Sequence, residues 1–191
     1  ITGVQSRLSA RQIDLFMTQE QRLEKILSSG KAELRSGALR SFFGDAINVF
    51  FRSNADQMDH FEVLGDASDV TSDRARYLHQ GKNGISSLEA DRIAVIPSQE
   101  LVKNRLLLKT FTAEGKVLLV SPALGISEAR SRRLEGVFSQ DGDSLKELDF
   151  IGQVSVKRQG RPNVGEEFLE SQALNVTLGA GEVLEHAIAH K

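Results

Sequence analysis

Residues Ser41–Phe51 read SFFGDAINVFF, and the period assigned to this stretch decides the fold. Together with what precedes it, Leu34, Leu39, Phe42, Phe43, Ala46, Ile47 and Phe50 recur close to a 3.6-residue repeat, with Val49 and Phe51 widening the apolar face. Such spacing predicts a helix. Upstream, Ser9-Ala10-Arg11-Gln12 has the S-x-x-Q spacing of a capping box, where hydroxyl and amide satisfy free backbone groups at a helix start. Ile13, Phe16, Met17, Glu20, Leu23 and Leu27 follow at spacings of three and four, and Gly30 is placed to stop or kink that segment. A third, shorter segment from Asp56 to Leu64 brings Met58 and Phe61 together. Residues 5–64 thus read as two long amphipathic helices and a short one. Aromatics at helical spacing are usually core, so Phe42, Phe43, Phe50 and Phe51 are expected to be buried rather than to line a groove or partner surface.

The pattern changes after Leu64. Residues 65–92 are polar and turn-rich: Thr71 or Ser72 can cap a short helix running to about His79, and Gly81-Lys82-Asn83-Gly84 reads as a turn. From Ile93 the period becomes two. Ile93–Ile96 is a short strand stopped by Pro97, and Leu106–Thr112 and Lys116–Ser121 read as strands joined by a hairpin loop at Ala113-Glu114-Gly115. Ser127 can cap a helix through Leu134. Asp143 or Ser144 can cap another over Leu145–Leu148. Phe150–Lys157 and Leu174–Leu178 alternate as strands, the first ended by Gln159-Gly160-Arg161-Pro162-Asn163, and Val183–Ala189 returns as a strand in preference to a terminal helix. No internal repeat stands out. The expected organisation is α+β, one cooperative domain in which a helical segment (1–64) and a polar connection (65–92) precede a β-rich, mostly antiparallel segment (93–191).

Composition excludes more chemistry than it supports. The 191-residue chain holds 40% hydrophobic and 26% charged residues, the balance of a globular domain. Size scaling buries about 70% of the unfolded surface, enough for a core without staples. The absence of Cys excludes a disulfide framework, a thiolate nucleophile and Cys-ligated metal. The net charge of −2 is spread evenly, leaving no basic half for nucleic acid and no acidic tail. Apolar runs are too short for a membrane span. The chain starts at Ile1 rather than Met, as expected of a processed or excised chain.

The motifs that could carry chemistry are few. His186 and His190 with Glu182 are the only metal candidate, and they lack the H-E-x-x-H arrangement of a zinc site. The acids Asp66, Asp69 and Asp73 and the Asp141-Gly142-Asp143 turn do not match an EF-hand loop. No G-x-S-x-G elbow, P-loop or G-x-G-x-x-G occurs, and Gly179-Ala180-Gly181 lacks a third Gly. Asn175-Val176-Thr177 is an N-x-T acceptor on an alternating strand. Two basic clusters remain, Arg130/Arg132/Arg133 and Lys157/Arg158/Arg161, without the interleaved aromatics of a nucleic-acid surface.

These readings point away from an enzyme and from any cofactor. They favour a structural or interaction module, a subunit of a virion, tail, pilus or secretion-type assembly, with the two basic clusters as contact candidates and a protein partner or a second copy as the associate. An extracytoplasmic or virion-associated setting fits the non-Met start. A ligand-sensing domain of a membrane receptor is the alternative, entered through its N-terminal helix. A small metal-dependent enzyme built on His186 and His190 is the third.

Overall fold

The structure is a computed structural model that describes residues 6–37, 39–52, 57–66, 74–81, 84–98, 107–140, 142, 144–158 and 165–191. It contains strands where helices are expected. In the N-terminal third these are β1 (Ser6–Ser9), β2 (Gln12–Met17), β3 (Leu23–Ser36), β4 (Arg40–Phe51) and β5 (Met58–Leu64). β6 (Ala75–Gly81), β7 (Gly84–Ala90), β8 (Arg92–Pro97) and β9 (Leu108–Ser121) follow. A 3₁₀ turn at Pro122–Leu124 leads into β10 (Ile126–Phe138), β11 (Leu145–Arg158), β12 (Glu167–Leu178) and β13 (Leu184–His190). These thirteen strands belong to one antiparallel sheet. The α+β expectation is overturned: the molecule is all-β.

Alternation explains why the helical reading fails in Ser41–Phe51. Phe42, Ile47 and Val49 are buried at 1%, 0% and 3% exposure, whereas Phe43 and Phe50 point outward and are only half-buried. Both outward rings are covered: the Arg76 guanidinium lies 5.5 Å over Phe43, and the His60 ring stacks on Phe50 at 4.5 Å. Each Phe-Phe pair therefore sends one ring in and one out. A kink at Gly44–Ala46 then changes which parity faces the core, so the inward set drifts off a period of two and imitates 3.6. Of the four rings expected in the core, Phe42 is buried and Phe51 packs against the core, whereas Phe43 and Phe50 are corrected to the outer face.

Other segments are corrected in the same way. Ser127–Leu134 lies within β10, Leu145–Leu148 opens β11, and residues 75–79 of the expected short helix are in β6. Ala113-Glu114-Gly115 is not a hairpin loop: it lies inside the continuous strand β9, with Ala113 and Glu114 paired and a bulge at Gly115-Lys116. The Ile93–Ile96 strand and the C-terminal return strand appear as β8 and β13. Thr71, Ser72, Lys82, Asn83 and the turn at 159–163 lie outside the described residues.

The bulges fold the sheet over itself. β3, β9 and β11 each carry a Gly-X pair with both residues at positive φ: Gly30-Lys31 (76°, 58°), Gly115-Lys116 (77°, 46°) and Gly152-Gln153 (77°, 53°). Ladder register slips at each of them. This recurrence is structural, and the sequence alone shows it only as scattered Gly-polar dipeptides. At the crease the partners of a strand change. The first half of β4 pairs β6, and its second half pairs β5; β9 pairs β8 along its first half and β7 along its second. Two branches, β5–β8 and β6–β7, thus connect the same two long strands and close around one apolar core. Phe42, on the half of β4 that pairs β6, meets Phe61 of the β5–β8 branch edge-on at 4.9 Å.

Asp91 pins the crease. Its backbone N–H donates to the Glu114 and Gly115 carbonyls at 3.0 Å, and the Arg74 guanidinium donates to the Gly115 and Lys116 carbonyls. A Cβ on Gly115 would collide with the Asp91 carboxylate, and its φ of +77° independently favours glycine.

Candidate interaction surfaces and apolar opening

Register determines which side chains face the interior, and the two ends of the sheet leave that face uncovered. At the N-terminal end, Ile13 pairs with Ser28 and Leu15 with Ile26, so both share the face that bears the buried Ser28. Ile13, Leu15 and Met17 nevertheless stay 43%, 63% and 52% exposed. Nothing among the described residues packs over them. Among the described residues β2 pairs only with β3, which leaves the N–H and C=O groups of its other edge without a strand partner there.

At the C-terminal end, β12 places Leu174, Val176 and Leu178 inward, and β13 ends the sheet with every residue exposed. Between β10–β13 and the Pro122–Leu124 turn the interior is not filled. A cavity of about 260 Å³ remains, walled by Leu124, Val156, Leu169, Val176, Leu178 and Leu184. Its polar lining comes from Arg158 and Glu167. They form a loose ion pair at 4.0 Å, and the Arg158 Nε is buried with no hydrogen-bond partner among the described residues. Exposed Phe168 and Val183, at 58% and 63%, extend the apolar character of this end outward.

Arg158 apart, the described cations of the basic clusters lie along the outer face, where acids on the same or neighbouring strands meet most of them. Arg130 pairs with Glu128 at 2.9 Å, and Lys157 reaches the same carboxylate at 3.5 Å. Arg133 bridges Glu114 (3.2 Å) and Glu135 (2.7 Å), while Arg132 donates to Gln153. Bonding to Arg130 holds the Glu128 carboxyl below its ordinary range and raises Arg130 correspondingly. Arg161 lies outside the described residues. Among the described residues, then, most of these cations meet acids on the same or a neighbouring strand rather than forming one positive field.

His186 and His190 both fall on β13, and the strand rise sets them about 13 Å apart along it. His190 Nε2 lies 2.7 Å from the Asn175 side-chain oxygen, and Glu182 accepts a bond from the Leu145 N–H in the neighbouring hairpin. Among the described residues no group of three or more His, Asp or Glu is arranged to hold a metal ion. Asn175 donates to Asp149 on the outer face, and Gly179-Ala180-Gly181 forms the β12–β13 turn. Asp69, Asp73, Asp141 and Asp143 are outside the described residues. Among the described residues no helix is long and apolar enough to cross a membrane.

Sequence reasoning missed the two features that distinguish this surface. The open ends carry no motif; their only sequence trace is apolar alternation at Ile13, Leu15 and Met17 and at Leu174, Val176 and Leu178 without a covering element between them. Arg40, 5% exposed, is the other, visible beforehand only as a lone cation between Leu39 and Phe42.

No protein-family profile matches the chain, and no curated protein matches its sequence. Among solved structures it is similar to LptH of Pseudomonas aeruginosa, described as the LptA-homologous periplasmic component of the conserved lipopolysaccharide transport device, with a TM-score of 0.51. The match covers 86% of this chain and 93% of that one at 9% identity. The likeness is one of fold: this chain is an LptA-like β-jellyroll.

Proposed function

We propose that this chain is a non-catalytic module of a transport assembly, docking β-sheet on β-sheet at its open ends and offering its apolar interior to an amphipathic cargo. One observation carries the reading: at both ends the sheet stops in an exposed strand edge whose inward side chains are apolar and uncovered. Folded proteins normally blunt such edges with charge, Pro or a covering element, because bare edges pair with other chains. β-Augmentation uses this property, with main-chain bonds supplying affinity and alternate side chains supplying specificity. LptH, which shares the fold, belongs to a lipopolysaccharide transport device in the periplasm. A periplasmic setting and an acyl-bearing cargo are the corresponding reading here, and the cavity beside Arg158 supports it. The receptor-sensor alternative loses its motive, since its entry helix is replaced by β1–β4.

The test is association. Sedimentation of the full chain, alone and with a jellyroll partner from its native assembly, should show concentration-dependent complexes. Leu15→Arg and Ile188→Arg should each weaken them without changing the β-sheet circular dichroism. A chain that stays monomeric to about millimolar concentration and binds no partner defeats the reading.

A further inference from the structure

We propose that Arg40 is a latch: it holds the two layers of the jellyroll together along the seam opposite the crease, and its release opens the interior there. The chemistry of the inward face changes in rows from crease to seam. Nearest the crease the inward positions are small, at Ala32, Ala75, Ala90 and Val117. The next row is large and apolar, running Leu34, Phe42, Tyr77, Leu88 and Leu119 in register across five strands. The last row, at the seam, is polar. Ser36 is opposite Arg40, Arg40 opposite His79 and His79 opposite Ser86, and the Ser86 hydroxyl lies 3.1 Å from that of Ser121.

These seam groups are nevertheless enclosed: Ser36, Arg40 and Ser121 are 8%, 5% and 4% exposed. Over Arg40 the cover comes from the other layer. The Arg40 guanidinium donates to the Gly142 carbonyl, 102 residues away in the β10–β11 hairpin, and lies 5.6 Å over the Phe138 ring. The described residues of this hairpin are tied to one another and to Leu107. Gly142 donates to the Ser139 carbonyl, Ser139 to that of Ser144, and a Cβ on Gly142 would lie 2.6 Å from Leu107 Cβ.

Desolvation of the buried guanidinium offsets much of its bonding, so the closure that it gives is one that can be released. A guanidinium's N–H donors are readily satisfied by water, so it remains compatible with water once the seam parts. Parting along this row wets serines, a histidine and a guanidinium before any of the large apolar row is exposed. In the order of the sheet, β4 lies between the uncovered β2 end and the β10–β13 cavity. An Arg40 latch therefore confines access to those ends while it is closed.

The natural chain has no Cys, which makes a two-label distance measurement direct. Leu39→Cys, beside Arg40, and Lys146→Cys, beside the hairpin, place spin labels on opposite sides of the seam at exposed positions. Leu39→Cys with Ile85→Cys is the control within one layer. Pulsed electron resonance on the full chain should give one short distance across the seam. Arg40→Met should shift part of that distribution to longer distances and leave the control unchanged. Arg40→Lys, which keeps charge but loses the guanidinium fork, should give a smaller shift. A folded Arg40→Met chain with the parental distribution overturns the proposal. Should that variant fail to fold, Arg40→Lys decides: a shifted seam distance supports the latch, and a parental one overturns it.

Discussion

The middle of the jellyroll and its C-terminal end are built from the same kind of strand, yet one is closed and the other hollow. In the middle, two branches of sheet enclose Phe42, Phe61, Leu88 and Val95, all at 2% exposure or less, and a rim of Ser and Arg closes the seam. At the end, no second branch exists among the described residues: β13 terminates the sheet, the rim passes from Ser121 to Leu124 and Ile126, and about 260 Å³ stays unfilled. Packing is set by how many layers cover a face rather than by how apolar that face is. Val95 in the filled middle and Val176 on the cavity wall are the same residue type pointing inward from a strand, so side-chain identity does not account for the difference.

Truncation should separate the regions most. Phe61→Ala or Phe42→Ala removes a ring at 0% or 1% exposure and should cost about 3–5 kcal/mol in denaturant unfolding. Leu184→Ala, at the hollow end and 36% exposed, should cost less than about 1 kcal/mol. Equal losses at both sites would mean that the end is closed in solution.

Enlargement should give opposite signs. Gly136→Ala drives a methyl into the Phe111 ring in the filled middle and should destabilise by about 1–3 kcal/mol. Ala187→Leu projects into the C-terminal cavity and should be neutral or stabilising by up to about 1 kcal/mol, while reducing uptake of an acyl-chain probe such as a fluorescent fatty acid. Loss of stability on Ala187→Leu would contradict an open cavity.

The smallest effect is electrostatic and belongs to the outer face. Glu128, held by Arg130 and then by Lys157, has a lowered pKa, and Asp59 is lowered chiefly by its bond to His60. A carboxylate depressed on folding stabilises fully above its unfolded value and loses that contribution as pH falls through the folded one. Stability should therefore decline from about pH 4.5 downward. Both groups are solvent-exposed, so each should contribute no more than about 0.5 kcal/mol and fade in high salt. Glu128→Gln should flatten the acid limb slightly; a change at pH 7 exceeding that at Phe61 would refute the exposed-ladder description.

How much was legible beforehand follows from these positions. In residues 93–191, β8, the Phe150–Lys157 part of β11, the Leu174–Leu178 part of β12 and the return strand β13 are readable from local period and turn residues, as in Leu174, Val176 and Leu178. Leu145–Leu148 of β11 instead imitates a short capped helix. In residues 5–64 the same physics is hidden. Outward Phe43 and Phe50 are shielded by Arg76 and His60, which come from other strands, so an apolar residue on the outer face cannot be told from a core one by spacing. The Ser9–Gln12 capping spacing occurs at a strand junction, where it caps no helix. Arg130 and Arg133 look like a patch because their carboxylate partners include Glu114, distant in sequence and adjacent only through β9–β10 pairing.

The sequence by itself determined the absence of thiol chemistry, the lack of a basic half, and the alternating strands of the C-terminal part, since each depends on residue identity or on a local period. Tertiary structure alone decided that the N-terminal part is sheet, that Gly30, Gly115 and Gly152 crease it, that Arg40 is enclosed, and that both ends stay open. The physical reason is that an isolated strand has no hydrogen-bond partner of its own. Which face is buried, and whether anything covers it, is settled by residues up to about a hundred positions away, as between Arg40 and Gly142.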